Sequence, residues 1–475
     1  MSRSRAARRP ELNENARRGL RTARVEARIV RPEAGTRSAP EPLPRAETKL
    51  LPPPAAPVVR HGGGGKRGLD WFSFFVANLQ TGFGPFVSVY LTSEKWTQVD
   101  IGLVLTVGGL IGLFGQIPGG ALVDVTRSKR RIAAISVVLV GVSALGLALS
   151  PIFPVILAAW VLHAAASCTL SPAIASLSLG MVGHDRLSKR LGRNARYASV
   201  GNAAAAAGMG AIGYYVSHQA VFLVAAALVA PALMALMRIP AVLAVDELRL
   251  ATPSAAGPNA GPEPEPPKAS LRSFLSDRVL VILAACAALF HLANGAMLPL
   301  LGSALTVRSS EAAPLLIAAC IIVPQVVVAA FSPWVGAKAE SWGRRPLLLV
   351  GFAALVLRGL ALGFATDPYV LVAAQLLDGV SGAILGIVIL SAAADVTRGT
   401  GRFALAQGLI GTGMGIGAAL STTIGGFMAD SFGTGMAFLG LSGFAVFGLL
   451  IAVIFLPETV HLRQSRSHGA ELDRN

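Results

Sequence analysis

The stretch "VGAKAESWGRRP", residues 335–346, repeats a pattern found earlier in "GGALVDVTRSKRR", residues 119–131. Each copy has a glycine, three further residues, an acid and then a basic cluster, and aligning Gly120 with Gly336 places Asp124 opposite Glu340 at an offset of 216. A second pair of stretches, "AAWVLHAAASCTL" (158–170) and "AAQLLDGVSGAIL" (373–385), aligns at an offset of 215. The near-equal offsets predict a fold built from two copies of one unit.

The composition indicates an integral membrane protein. Hydrophobic residues make up 53% of the chain and charged residues only 14%, whereas a soluble protein carries about 25% charged residues. Apolar stretches near the length that crosses a bilayer, about 20 residues, recur from Trp71 to Pro457. We therefore expect an all-α membrane protein with the lipid bilayer as its main surroundings.

Twelve transmembrane helices are predicted, which we call spans 1 to 12 in chain order. Many of them are rich in glycine and alanine, as close helix packing in lipid requires. Their expected bounds are 71–90, 98–123, 131–149, 154–181, 195–216, 219–237, 279–301, 314–336, 346–365, 368–393, 404–429 and 435–456.

Polar segments divide the chain into five regions. We expect a disordered basic arm (1–69), a six-helix bundle (70–237), a Pro-rich linker (238–278), a second, pseudo-symmetric six-helix bundle (279–457) and a tail (458–475). The arm lacks the apolar core of a signal peptide. It could bind anionic lipid or be a solvated tail.

The basic residues lie on one side of the predicted membrane. If the N-terminus is cytosolic, 38 of the 41 Lys and Arg residues fall in the arm, the inner loops, the linker and the tail. This asymmetry follows the positive-inside rule. It predicts a multi-pass protein of the inner (cytoplasmic) membrane with both termini in the cytosol, and it explains the net charge of +16 without a nucleic-acid partner.

The sequence carries no recognised enzyme motif. A nucleophile elbow, an HExxH pair and a P-loop are all missing, and "GGGGK" at 62–66 lacks the spacing of a phosphate loop. Cys168, Cys286 and Cys320 lie in apolar stretches without a CxxC pair. We expect no enzymatic activity, no cofactor and no metal site.

The paired loops resemble the signature of the major facilitator superfamily (MFS), and the resemblance covers roughly residues 70–457. It implies a monomeric, bacterial twelve-helix transporter that moves a small molecule by alternating access. It also implies that Asp124 latches onto the second half near span 11 and, by pseudo-symmetry, that Glu340 faces span 5. A plain topogenic loop is the alternative. The predicted latch residues are Gly120, Asp124, Arg130, Gly336, Glu340, Gly343, Arg344 and Arg345; Arg127 stands where the first copy would usually have glycine.

Several polar residues fall near the middle of predicted spans, where an ionised side chain costs roughly 2.5–3.5 kcal/mol. The resemblance implies that spans 1, 4, 7 and 10 line a central cavity. The predicted substrate and proton pathway is Asn78, Gln80, His163, His291, Arg358, Gln375 and Asp378. Each histidine has an equally simple alternative, a neutral ring bonded to a neighbouring carbonyl.

Arg358 is the only basic residue well inside a predicted span. It lies within about 5 Å of the depth of Asp378, counted along the two helices. We expect an Arg358–Asp378 ion pair, which either switches during transport or holds spans 9 and 10 together.

Proton-coupled efflux of a small solute is the predicted function. Two observations leave uptake or facilitated exchange open: span 5 ("AAAAAGMGAIGYY", 203–215) lacks the proline of the Gly-Pro-x-x-Gly-Gly run of drug-efflux members, and Trp160 stands where they often carry arginine. A non-transporting receptor on the same scaffold is a further alternative.

Overall fold

A computed structural model describes residues 63–81, 85–240, 277–308, 313–398 and 400–459. Within these ranges the chain is helical and contains no strand. The predicted arm up to residue 62, the linker at 241–276 and the tail from residue 460 lie outside the described residues.

The first half of the fold contains spans 1 to 6. Spans 1 and 6 each consist of two helices, and the other four are continuous. The bounds are Gly63–Thr81 and Pro85–Ser93 for span 1, Gln98–Val125 for span 2, Lys129–Leu149 for span 3, Phe153–Val182 for span 4, Leu187–Tyr215 for span 5, and His218–Ala227 and Val229–Met237 for span 6.

The second half contains spans 7 to 12. Spans 7 and 10 each consist of two helices. The bounds are Arg278–Asn294 and Met297–Arg308 for span 7, Ala313–Ser341 for span 8, Arg344–Phe364 for span 9, Pro368–Ala373 and Gln375–Val396 for span 10, Phe403–Phe432 for span 11, and Thr434–Phe455 for span 12.

Ten of these segments, spans 2 to 4 and 6 to 12, are long and apolar enough to cross a membrane. Spans 1 and 5 carry charged residues in their first turns, "KRGLD" and "LSKRLGR". Buried apolar side chains form one cluster centred on spans 1 to 6 and another centred on spans 7 to 12. The predicted fold, all-α with two six-helix bundles, is confirmed.

Two spans begin eight residues, about two helical turns, earlier than the sequence predicted. Span 1 begins at Gly63 instead of Trp71, so residues 63–69, which we assigned to the arm, are helical. Span 5 begins at Leu187 instead of residue 195. The reason is ion pairing, because Asp70 lies 2.7 Å from Arg190 and 2.6 Å from Arg193. Charged residues that are paired with one another can be buried between helices and are not confined to solvent-exposed loops.

The two halves are in close contact at four glycines, which occupy equivalent positions in the two repeated units. Span 2 packs on span 11, and span 5 packs on span 8. A Cβ added to any of these glycines would meet backbone atoms of the facing span, so only glycine allows this approach. The contacts are Gly120 with Ala404, Gly336 with Ser188, Gly192 with Ser332, and Gly408 with Gln116. Each residue of these contacts in the first half has its equivalent 216 positions later in the second half. The repeat in the sequence therefore produces the same contact twice.

Candidate functional site

Asp124 at the end of span 2 binds the first turn of span 11. The backbone N–H groups of Ala404 and Leu405 donate to its two carboxylate oxygens at 3.0 and 2.7 Å. Span 11 has no side-chain cap of its own. A carboxylate satisfies the unpaired N–H groups at a helix start and is stabilised by the helix dipole. The first half of the chain therefore caps a helix of the second half, at the place that the family resemblance implied.

Glu340 at the end of span 8 makes the equivalent contact with span 5. It accepts a hydrogen bond from the backbone N–H of Lys189 at 3.2 Å and lies 3.0 Å from the Lys189 ammonium. Span 5 also lacks a side-chain cap of its own. We call the end of the bundle that carries Asp124, Lys189, Glu340 and Ala404 the basic face. In this structure the halves are held together at the basic face.

The other predicted latch residues work within one half. Arg130 donates to the carbonyl of Ile239 at 3.0 Å, at the end of span 6. Arg344 is buried and forms an ion pair with Asp395 at 2.9 Å, which ties span 9 to span 10. These residues therefore hold each bundle together beside the contacts that join the two.

Gly343 and Arg345 also act inside the second half. Gly343 has a φ of 102° and precedes span 9, a backbone conformation that favours glycine. Glu458 accepts hydrogen bonds from the N–H groups of Arg344 and Arg345 at 2.9 and 3.0 Å, and the Arg345 side chain donates to the Val453 carbonyl. The start of span 9 is thus capped by a residue that follows span 12.

The predicted Arg358–Asp378 ion pair is present, with 2.8 Å between the guanidinium and the carboxylate. Arg358 also donates to Gln375 Oε1 at 2.8 Å and to Asn294 Oδ1. The cluster joins spans 7, 9 and 10. Gln375 is fully buried, and its amide donates to the Leu371 carbonyl at 3.4 Å. Three acceptors therefore surround one guanidinium inside the second half.

The two charges of this cluster differ in exposure. The side chain of Arg358 is 1% exposed, whereas that of Asp378 is 23% exposed. A solute or proton that reaches the cluster through water meets the carboxylate and not the guanidinium. Chemically, the site presents a hydrogen-bond acceptor that can also take up a proton.

Three of the four remaining predicted pathway residues, Gln80, His163 and His291, have partners outside the Arg358 cluster. Gln80 donates to Ser167 Oγ at 3.4 Å, which joins spans 1 and 4. His163 stacks on Trp160 of its own span, with 5.5 Å between ring centroids. The ring of His291 lies 2.9 Å from the Ala287 carbonyl one turn earlier, which matches the alternative reading of that histidine. Asn78 is half-buried on span 1.

Asn294 is the member of the Arg358 cluster that the sequence reading missed. It stands in "LFHLANGA" at the end of the first helix of span 7. A signal was available, because Asn294 follows His291 by three residues and therefore lies on the same helix face. Among the described residues, no group of three or more His, Cys, Asp or Glu side chains could hold a metal ion.

Comparisons with known proteins find relatives over most of the chain. The model of the MFS_1-like family matches residues 68–440. An uncharacterized MFS-type transporter of Mycobacterium tuberculosis is 37% identical over 398 residues, which are 83% of this chain and 93% of that protein. The multi-drug resistance efflux pump PmrA of Streptococcus pneumoniae is 29% identical over 138 residues, which are 29% of this chain and 34% of that protein.

The fold is also similar to that of solved structures. The fucose:proton symporter FucP of E. coli superposes with a TM-score of 0.65 at 15% identity. The match covers 82% of this chain and 98% of that one.

Proposed function

The chain belongs to the MFS_1-like family of the major facilitator superfamily and is a multi-pass membrane transporter, and on that premise we propose that it exports a small solute in exchange for protons. The Asp378 carboxylate carries this proposal. It is a partly exposed acid whose partner, Arg358, is buried. An ionised acid inside the membrane is energetically costly, and such residues usually mark a substrate or proton pathway.

In the proposed cycle, Asp378 binds a proton on one side of the membrane and releases it on the other. Protonation removes the negative charge that faces Arg358, so the guanidinium then depends on Gln375 and Asn294 alone. A pair that is stable in one protonation state and weakened in the other can bias a two-state equilibrium. The proton gradient then supplies the energy for transport.

The two halves, residues 70–237 and 279–457, are the proposed moving units, joined by the linker at 238–278. The contacts of Asp124 and Glu340 close the basic face in one state and would break in the other. Since most Lys and Arg lie on this side, we assign the basic face and both termini to the cytosol. The described state is then closed to the cytosol.

Export is favoured over uptake by the relative described as an efflux pump. Uptake remains the second candidate, because the sequence lacks the proline and arginine expected of drug-efflux members, at span 5 and at Trp160. The two candidates differ in the direction of proton movement that accompanies solute movement. A single assay can therefore separate them.

The test is proton flux in proteoliposomes that hold a pH-sensitive dye, the purified full-length protein and an imposed pH gradient. A panel of small neutral and cationic solutes is added one at a time. We expect the movement of at least one solute to be accompanied by proton movement in the opposite direction. Solute and protons moving together would favour uptake, and solute movement without any proton flux would contradict the proposal.

A further inference from the structure

A cavity of about 190 Å³ lies between the two halves, and none of the Arg358 cluster residues lines it. It is bounded by span 1, the middle of span 5 and the outer part of span 8. The lining residues are Thr81, Asn202, Ala203, Ala206, Ile321, Ile322 and Gln325. A cavity of about 150 Å³ holds a benzene ring, so this space accepts a small organic molecule.

The lining is neutral and offers two amide groups. Gln325 Oε1 is buried and has no hydrogen-bond partner among the described residues. Asn202 faces the Thr81 hydroxyl at 2.9 Å, and that hydroxyl also bonds the Ala77 carbonyl at 2.9 Å. A hydroxyl has one proton to give, so Thr81 shares it between Asn202 Oδ1 and the Ala77 carbonyl. A buried carbonyl left without a donor calls for a ligand N–H or O–H.

The cavity is next to the proposed proton site. Gly379, which follows Asp378, packs so closely on span 8 that a Cβ there would meet Val327 and the carbonyl of Pro324. Gln325 follows Pro324 in the chain. Proline cannot complete the helix ladder at this point, so span 8 can adjust where it touches span 10. A solute that fills the cavity would therefore shift span 8 against span 10 and change the surroundings of Asp378.

We propose that this cavity is the solute-binding site and that it selects an uncharged molecule with an amide or hydroxyl group attached to a small apolar body. Gln325 accepts a hydrogen bond from the polar group, Asn202 supplies the second amide, and the apolar body lies against Ile321 and Ile322. This inference rests on the proposed function for its role in transport. The binding itself requires neither a gradient nor Asp378.

The test uses benzamide as the probe, because it combines a primary amide with a ring of suitable size. Benzoate and benzamidinium have the same shape with a negative or a positive charge. Equilibrium dialysis of each labelled compound against the full-length protein in lipid nanodiscs measures binding. We expect saturable benzamide binding and at least about tenfold weaker binding of both charged compounds, since no charge on the lining would balance them.

Two variants of the cavity and one control variant outside it test whether benzamide binds at this site. Gln325→Leu keeps the volume and removes the acceptor, and should weaken benzamide binding by about tenfold, the effect of one hydrogen bond. Ala206→Leu fills the cavity without removing either amide and should abolish binding. Gln219→Leu removes an amide from span 6, outside the cavity, and serves as the matched control with unchanged binding.

Two outcomes would overturn the inference. One is benzamide binding that is absent from the wild type or unchanged in both Gln325→Leu and Ala206→Leu. The other is benzamidinium binding that survives Gln325→Leu and disappears in Asp378→Asn, which would place recognition at the carboxylate. Loss of proton flux with normal benzamide binding would contradict the proposed function alone, so the two failures are distinguishable.

Discussion

At the scale of single residues, the Arg358 cluster shows how a charge is held inside the bilayer. The guanidinium is almost completely buried, and three side chains, from Asp378, Gln375 and Asn294, accept its hydrogen bonds. Asp378 and Asn294 are partly exposed, whereas Gln375 is buried. The arginine is therefore the more buried member of the ion pair, and the aspartate is the member with exposed surface.

Replacement of Arg358 by glutamine should destabilise the protein, because Arg358 binds Asp378, Gln375 and Asn294 together. Arg358→Gln leaves the Asp378 charge without a partner, and breaking a buried pair in this way costs about 3–5 kcal/mol. The double variant Arg358→Gln with Asp378→Asn should recover part of that loss, since no unpaired charge remains. The measurement is reversible unfolding of the purified variants in detergent. Equal stability of Arg358→Gln and the wild type would contradict this assignment.

Asp124→Ala should open the basic face more often. The variant removes the carboxylate that caps span 11, a contribution of about 1 kcal/mol, and shifts the closed-to-open ratio by about fivefold. A suitable reporter is Ser391→Cys, because Ser391 is buried between the halves, 2.9 Å from Ser188. Its maleimide labelling, with the three native cysteines replaced by alanine, should speed up accordingly.

The control for this prediction is Asp100→Ala. Asp100 is an acid of the same span 2 at its other end, where it bonds Thr97 of its own turn. The control should leave the labelling rate unchanged. Equal rates for Asp124→Ala and Asp100→Ala would show that the cap does not hold the halves together.

At the scale of elements, three helices begin with a cap that comes from elsewhere in the chain. Spans 5, 9 and 11 each lack a side-chain cap at their own start. Glu340, Glu458 and Asp124 supply the missing acceptors. The acids of the two repeated loops cap the other half, whereas Glu458 caps its own half. This difference separates the contacts that join the two halves, which we propose to break during transport, from those that hold one bundle together.

Gly408→Ala should open the basic face more strongly than Asp124→Ala. The added methyl group would meet the Gln116 carbonyl of span 2, and backbone atoms can move away only if the two spans separate. With the Ser391→Cys reporter, we expect labelling about thirtyfold faster than in the unmodified chain, which corresponds to about 2 kcal/mol, the middle of the 1–3 kcal/mol range typical of overpacking. The pseudo-symmetric Gly192→Ala should act in the same direction.

The matched control is Gly426→Ala, on the same span 11. A Cβ there meets nothing within 4 Å, so labelling should stay at the wild-type rate. If Gly408→Ala labels no faster than Gly426→Ala, the glycine contacts do not close the basic face.

At the scale of the whole molecule, the sequence predicted the fold well because apolar length and the repeated loops report directly on membrane spans. The starts of spans 1 and 5 were placed too late, since Asp70, Arg190 and Arg193 look like loop residues until their pairing is known. The Arg358–Asp378 pair could be predicted from depth alone. Asn294 was missed, although its spacing from His291 places both residues on one helix face. The cavity at Gln325 could not be predicted, because which neutral amides face one another depends on how the spans pack.

The central claim is that proton coupling passes through Asp378, and Asp378→Asn tests it most directly. In proteoliposomes, solute exchange without a gradient needs no net proton transfer, whereas accumulation driven by a pH gradient does. We expect the variant to exchange solute at a rate near that of the wild type and to lose gradient-driven accumulation. Accumulation equal to that of the wild type would contradict the claim.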